Sequence, residues 1–292
     1  MKITNIPILV AVLLVVDSLH FVFANALHPL ISPSISALYV MLAATLEVGI
    51  YGLYTRQIKL IHLKDNLPFF LAIGFLVAAS TNLNYEAIAF IDPGTATLLA
   101  QTGVLWRLAL GIFWLKDILS GRQILGAAIT LAGVFTITYQ GGNFMRLGSL
   151  LVVVSAFMYA LHAAITKRSG DGIDFLNFFF FRVLMSTLFL SVFSVSRHAL
   201  DFPPRPAWLL LIVAATVDIV ISRVLYYLAL RQLTLSIHTL LLTLSPVLTV
   251  IWALLFFKHI PSNQQLLGGA AVILGVAIIN LARKIPPKPA AA

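Results

Sequence analysis

The stretch Lys116–Ile137, KDILSGRQILGAAITLAGVFTI, returns 142 residues later as Lys258–Ile279, KHIPSNQQLLGGAAVILGVAII. Ten of the 22 positions are identical without a gap. Shared apolar composition would match Leu, Ile and Ala. It does not place Lys116/Lys258, Ser120/Ser262, Gln123/Gln265, Gly126/Gly268 and Gly133/Gly275 at one offset. The chain is therefore two copies of one unit, and that duplication decides the fold before any single element does.

The same offset reaches outward. It pairs His20 with His162, Ser80 with Ser222, Tyr85 with Tyr227, Ala87 with Ala229 and Thr97 with Thr239, and it carries Gln101 onto Thr243. Between these marks the chain is 60% hydrophobic and 10% charged, with a mean hydropathy of +1.01. A soluble domain runs nearer ~25% charged. So little polar surface excludes a water-coated globule and implies a polytopic protein in a lipid bilayer, where helices of about 20 residues satisfy their own backbone. The long runs are helical rather than the short alternating strands of a barrel.

Apolar runs at about 6–30, 35–55, 67–90, 95–115, 121–140, 148–166, 174–196, 207–230, 236–257 and 263–282 make ten helices. The first run holds Asp17 and His20 and lacks a small-residue cleavage site, so it reads as a helix rather than a signal peptide. The breaks carry Pro, Gly or charge, as at Asp92-Pro93-Gly94, Gly141-Gly142-Asn143, Gly170-Asp171-Gly172 and Pro203-Pro204-Arg205-Pro206. Five helices per copy is an odd number, so the second copy enters the bilayer from the opposite side. The expected fold is an all-α integral membrane protein, ten transmembrane helices as two inverted five-helix repeats. Inverted repeats commonly underlie alternating access around a midplane site.

The net charge of +9 does not point to nucleic acid, because the basic residues sit singly at helix ends. Twelve Lys and Arg fall on the side of the N-terminus against four on the other, which by the positive-inside bias puts both termini in the cytoplasm. There is no cysteine, hence no disulfide and no Cys-ligated metal. Phosphate-binding glycine loops, HExxH and nucleophile elbows are absent as well, so no enzyme is expected. His20 and His162 lie on opposed halves and not at metal-ligand spacing. No metal or cofactor is expected.

The pattern Lys116-Asp117-Ile118-Leu119-Ser120, Gln123, Gly126 and Gly133 resembles the EamA units of the drug/metabolite transporter superfamily. The second copy matches it with Lys258-His259-Ile260-Pro261-Ser262, Gln265, Gly268 and Gly275, preceded by Ser245-Pro246. The resemblance covers essentially the whole chain. It implies EamA-like repeats at 1–141 and 147–283, followed by a disordered tail at 284–292. It further implies a ten-helix carrier of small organic solutes, often an amino-acid or metabolite exporter of the bacterial inner membrane. The sequence departs from the pattern at Asp117 and His259, where Glu is usual, at Val104 in place of a proline, and at Asp17-Ser18-Leu19-His20 in the first helix.

Charges deep in a bilayer cost at least about 2.5–3.5 kcal/mol each and therefore face the interior and find partners. Asp17, Glu47, Arg107, Arg182, Asp218 and Arg223 are such residues. Asp17 and His20 share a helix face, with Arg107 at comparable depth and available to Asp17 or Glu47. Thr97 and Gln101, mirrored by Thr239 and Thr243, form pseudo-symmetric polar pairs suited to a pathway wall; back-bonding to their own helices is the plainer alternative. Tyr85, Tyr227 and His162 complete the expected substrate-binding set, and His238 is a candidate for the outer vestibule. Arg182 and Arg223 are expected to snorkel or pair near the interface, Glu86 to be solvated, and the Phe178–Phe181 run to face lipid. The glycine pairs read as close-packing seams, within one chain or at a dimer contact.

The expected activity is secondary transport of a small organic solute, an amino acid or related metabolite, most naturally outward. Rocking halves would enclose a cavity lined by helices 1, 3, 4, 6, 8 and 9. Partners are the substrate and the lipid bilayer, with protons as a candidate coupling ion and a homodimer as a candidate assembly. The alternatives are a carrier of nucleotide-sugars, lipid intermediates or cationic drugs, and, further off, an intramembrane enzyme or sensor built on Asp17 and His20.

Overall fold

The computed structural model describes residues 6–115, 120–138, 147–170, 172–197, 200–233 and 241–282. Thr239, His238, Asp117, Asp171, Gly141–Asn143 and the tail from 283 onward lie outside them, as does the side chain of Tyr227. The helices run α1 (Ile6–Asp17), α2 (His20–Leu27), α3 (Pro33–Tyr54), α4 (Leu60–Asp65), α5 (Leu67–Ala87), α6 (Pro93–Ala100) and α7 (Gly103–Leu115). They continue with α8 (Gly121–Thr138), α9 (Leu147–Ser169), α10 (Phe175–Ser196), α11 (Arg205–Ala214), a π-helical segment (Ala215–Ile221), α12 (Ser222–Gln232), α13 (Ser245–Phe257) and α14 (Asn263–Leu281).

Among the described residues eight stretches are long and apolar enough to cross a membrane, and α8 and α13 are shorter apolar helices. Together they are the ten spans of a multi-pass membrane protein. Span 1 is α1 with α2, span 2 is α3, span 3 is α5, span 4 is α6 with α7, and span 5 is α8. Spans 6 and 7 are α9 and α10, span 8 runs from α11 through α12, and spans 9 and 10 are α13 and α14. The repeat offset carries Pro33–Tyr54 onto residues 175–196, the bounds of span 7.

The polar identities in the doubled stretch start helices. At span 10, Ser262 Oγ accepts from the Gln265 backbone N–H at 3.2 Å, and Gln265 Oε1 accepts from Ser262 N–H at 2.7 Å. Ser120 and Gln123 make the same reciprocal cap at span 5, at 3.3 and 2.9 Å. Each pair satisfies two backbone donors that the first turn of a helix leaves without partners.

The glycines of that stretch join the two halves. Span 5 packs along span 10 so closely that a Cβ on Gly133 would stand 2.6 Å from the carbonyl oxygen of Gly268, and one on Gly126 2.7 Å from that of Gly275. The seam thus lies within the chain, between corresponding helices of the two repeats. Spans 2 and 7 also pair with each other, as do spans 4 and 9. Along the 2/7 contact the hydroxyls of Thr45 and Thr187 lie 2.8 Å apart.

Span 7 corrects one expectation. Phe178, Phe179 and Phe181 are buried rather than facing lipid, Phe178 and Phe181 packed with Phe69, Phe70, Ile73 and Met185 and Phe179 in the main core. Span 7 lies between spans 2 and 3. A helix with neighbours on several sides buries residues all round.

Cross-half contacts also close the ends of span 7. At the end of the bundle that carries the N-terminus, Asn177 Oδ1 accepts from the Lys59 backbone N–H at 2.7 Å, and Asn177 Nδ2 donates to the Gln57 carbonyl at 2.9 Å. At the other end Arg197 Nη1 pairs with Glu86 Oε1 at 2.9 Å, and Ser34 Oγ donates to the same oxygen at 2.9 Å. Glu86 is held in an ion pair, not merely solvated.

Candidate functional site

Four spans lose regular α-helix near mid-depth. Span 1 turns at Ser18–Leu19, span 4 at Gln101–Thr102 and span 9 at Thr243–Leu244, while span 8 passes through the π-helical segment. The breaks of spans 4 and 9 are related by the repeat offset. In span 9, Pro246 has no amide to donate and so favours the interruption; span 4 breaks at the equivalent place with Val104 instead. Span 6, the counterpart of span 1, is unbroken from Leu147 to Ser169.

Side chains take up the groups that the span 1 turn frees. Thr249 Oγ1 donates to the Ser18 carbonyl at 2.8 Å and lies 3.5 Å from the Thr97 hydroxyl. Trp252 Nε1 donates to Ser18 Oγ at 2.9 Å. Spans 1, 4 and 9 thereby meet at one point. Irregular backbone at membrane depth is tolerated where protein or a cavity shields it, and it often marks a binding site.

Ionisable groups converge beside that point. His20, the first residue of α2, lies with Nδ1 2.7 Å from Oδ2 of Asp218. The Asn84 amide lies 3.4 Å from His20 Nε2. An Nδ1–H donating to an ionised carboxylate, with Nε2 accepting from the amide, satisfies both contacts. The π-helical segment positions Asp218 for this, since an added residue in a helical turn rotates the residues beyond it. Tyr85 presents its ring edge to His20 with centroids 6.0 Å apart. Asp17 ends α1, and its Oδ2 accepts from Ser245 Oγ, at the first residue of α13, at 2.8 Å.

Arg223 lies within electrostatic reach of Asp17, Asp218 and Tyr159. No ion pair joins it to either carboxylate among the described residues. Its guanidinium stands over the Tyr226 ring at 6.0 Å. A half-buried guanidinium within electrostatic reach of two carboxylates offers complementary seats for a carboxylate and an ammonium group.

The structure thus brings Asp17, His20 and Tyr85 together, with Thr97 at the border and Gln101 and Thr243 in the equivalent breaks. His162 is buried on span 6 beside Tyr159, within electrostatic reach of Arg223. Arg107 is exposed on α7. The acids it was expected to meet hold other partners: Asp17 has Ser245, and Glu47 Oε1 accepts from Thr216 Oγ1 at 2.7 Å. The cation within electrostatic reach of Asp17 is the half-buried Arg223, and Arg182 is buried, over the Phe179 ring. The offset could not single out Asp218 and Arg223, because it maps them onto Leu76 and Thr81. Their charge within an apolar run was the available signal.

A sizeable void lies apart from these charges among the described residues. A cavity of about 550 Å³ opens at the end of the bundle opposite the N-terminus, lined by Asn25, Asp92, Thr95, Ser149, His259 and Gln264 among others. Asn25 lies on α2, five residues beyond His20. At its rim Gln265 Nε2, from the second half, donates to Asp92 Oδ2 at 3.0 Å and to Thr95 Oγ1 at 2.7 Å. Among the described residues no three His, Asp or Glu side chains gather as a metal ion would require.

Residues 5–139 and 146–281 each match the EamA-like transporter family. The uncharacterized transporter YdfC of Bacillus subtilis is 26% identical over 263 residues, covering 86% of this chain and 82% of that protein. A protein of Streptantibioticus cattleyicolor named as a "Probable terminal-alkyne amino-acid exporter" is 24% identical over 197 residues, 65% of each chain. A solved crystal structure superimposes with a TM-score of 0.67 at 16% identity, covering 94% of this chain and 96% of the other, a likeness of fold.

Proposed function

Because this chain belongs to the EamA-like transporter family, we propose that it is a secondary transporter exporting a small amino-acid-like zwitterion by alternating access across a bacterial inner membrane. Both termini lie in the cytoplasm, on the side richer in Lys and Arg. The observation that supports this reading is that Arg223 lies within electrostatic reach of both Asp17 and Asp218, in the region where spans 1, 4, 8 and 9 depart from regular helix.

A guanidinium offers a carboxylate two parallel N–H donors, and a carboxylate offers an ammonium its acceptors. The His20 imidazole holds Asp218 in place while the substrate is absent. The name of the Streptantibioticus relative supports the amino-acid class. A carrier for cations would be hindered by a fixed guanidinium beside its acids.

An efflux screen of amino acids and metabolites in cells overexpressing the protein identifies the substrate. With that substrate in proteoliposomes, Arg223→Gln and Asp17→Asn each lower the transport rate at least about tenfold, the effect of about 1.4 kcal/mol on a barrier. Wild-type rates in both variants would refute the site.

A further inference from the structure

We propose that His162, Arg182 and Arg223 form a second station on the transport path, an anion-accepting site nearer the N-terminal end of the bundle, which takes the carboxylate of the substrate before its ammonium reaches the acids. His162 lies seven residues from the end of α9 at Ser169, and Arg182 seven residues from the start of α10 at Phe175. Those termini are at the same end of the bundle, so at 1.5 Å per residue both side chains start about 10 Å from it. Arg223 stands five residues beyond Asp218 toward that end. The cations therefore lie on one side of the acids.

His162 is 8% exposed, and the charges acting on it are both positive, Arg182 and Arg223. Its Nε2 has no hydrogen-bond partner among the described residues, and neither has Thr166 Oγ1 one turn further on nor Ser222 Oγ beside Arg223. Buried polar atoms are normally satisfied, and open ones on α9 and α12, with His162 in reach of two guanidiniums, fit a site completed by a ligand. A carboxylate accepts from guanidinium N–H, imidazole N–H and hydroxyl donors at once. The station therefore selects an organic carboxylate.

This deepens the transport reading and rests on it only for what bears the carboxylate. The chain has no cysteine, so His162→Cys introduces a sole thiol, and Thr166→Cys gives a second position should the first variant misfold. The probes are the anionic ethylsulfonate and the cationic trimethylammonium methanethiosulfonates, applied to the full-length protein in nanodiscs. The anionic reagent is expected to react about tenfold faster or more, because both charges in reach of this position are positive. Arg182→Gln brings the ratio toward one, Arg182→Lys restores it, and sodium propionate slows the anionic reagent. A ratio near one, a preference for the cationic reagent, indifference to Arg182→Gln, or no reaction with either reagent overturns the station. None of these readouts needs an identified substrate. A clear anion preference in a protein that moves no carboxylate would sink the zwitterion reading and leave the station standing.

Discussion

The hydroxyls of Thr45 and Thr187, 142 residues apart and therefore equivalent positions of the two repeats, hydrogen-bond to each other at 2.8 Å. Each also lies within bonding distance of its own helix, Thr45 of the Met41 carbonyl at 2.8 Å and Thr187 of the Val183 carbonyl at 2.9 Å. A hydroxyl has one proton. One threonine therefore bonds its backbone while the other donates across the interface, and symmetry makes the two choices nearly equivalent. A residue that touches its own repeat mate marks where the pseudo-twofold axis crosses spans 2 and 7.

A double-mutant cycle of Thr45→Val and Thr187→Val is expected to show a coupling energy of about 0.6 kcal/mol, the average for interhelical hydrogen bonds in membranes. Reversible unfolding in mixed micelles measures it. Strict additivity would mean that both hydroxyls bond only their own helices.

Gly133→Ala and Gly268→Ala should each destabilise the fold by about 1–3 kcal/mol, because the added methyl meets the facing helix's backbone, which cannot turn away, as well as a side chain. Gly121→Ala, with nothing within 4 Å of its Cβ position, should be neutral or slightly stabilising. Unfolding of the three variants side by side separates seam packing from a general intolerance of span 5 to alanine.

Arg107→Ala should retain at least half of wild-type transport, whereas Asp218→Asn should fall about tenfold or more. The contrast arises because Arg107 is exposed while Asp218 is 2% exposed and bonded to His20. Initial rates in proteoliposomes decide it, and equal losses would return Arg107 to the site.

Asp174 caps α10 outside the membrane-crossing segment. Burial pushes its carboxyl up, but the backbone N–H and side-chain amide of Asn177 outweigh that and hold it below the ordinary value of 3.8. A carboxyl lowered on folding stabilises the native state above its unfolded value, and the contribution is lost as pH falls through the folded value. Asp174→Asn should therefore flatten the fall in melting temperature between pH 5 and pH 3. An equally steep acid limb in the variant would remove Asp174 from the cause.

How much the sequence could reveal depends on which features repeat. Spans, inversion and caps were legible, because Ser120/Ser262 and Gln123/Gln265 perform one local task twice and local tasks leave local signatures. The site was legible only in part. Asp17 and His20 stood out as polar residues in an apolar helix. Asp218 and Arg223 carry the same signal, but their partners lie about 200 residues away in sequence, and a helical register alone cannot tell a residue near a membrane end from one turned inward. Arg107 carries the same signal too, yet it is exposed on α7 while Asp17 and Glu47 bond Ser245 and Thr216. The phenylalanine run failed for a similar reason, because nothing local says how many neighbours a helix will have.

Span 1 is broken and its counterpart, span 6, is not. If the halves alternate as proposed, the two extreme conformations of the cycle are not mirror images, and they need not be equally populated at rest. Such a bias gives the two faces of the membrane different half-saturation concentrations and different maximal rates. It cannot by itself drive accumulation, because the ratio of kcat/KM in the two directions is tied to the equilibrium of the solute across the bilayer. The broken helix thus makes a rectifier of kinetics, not of thermodynamics, and any uphill export must draw on a second gradient.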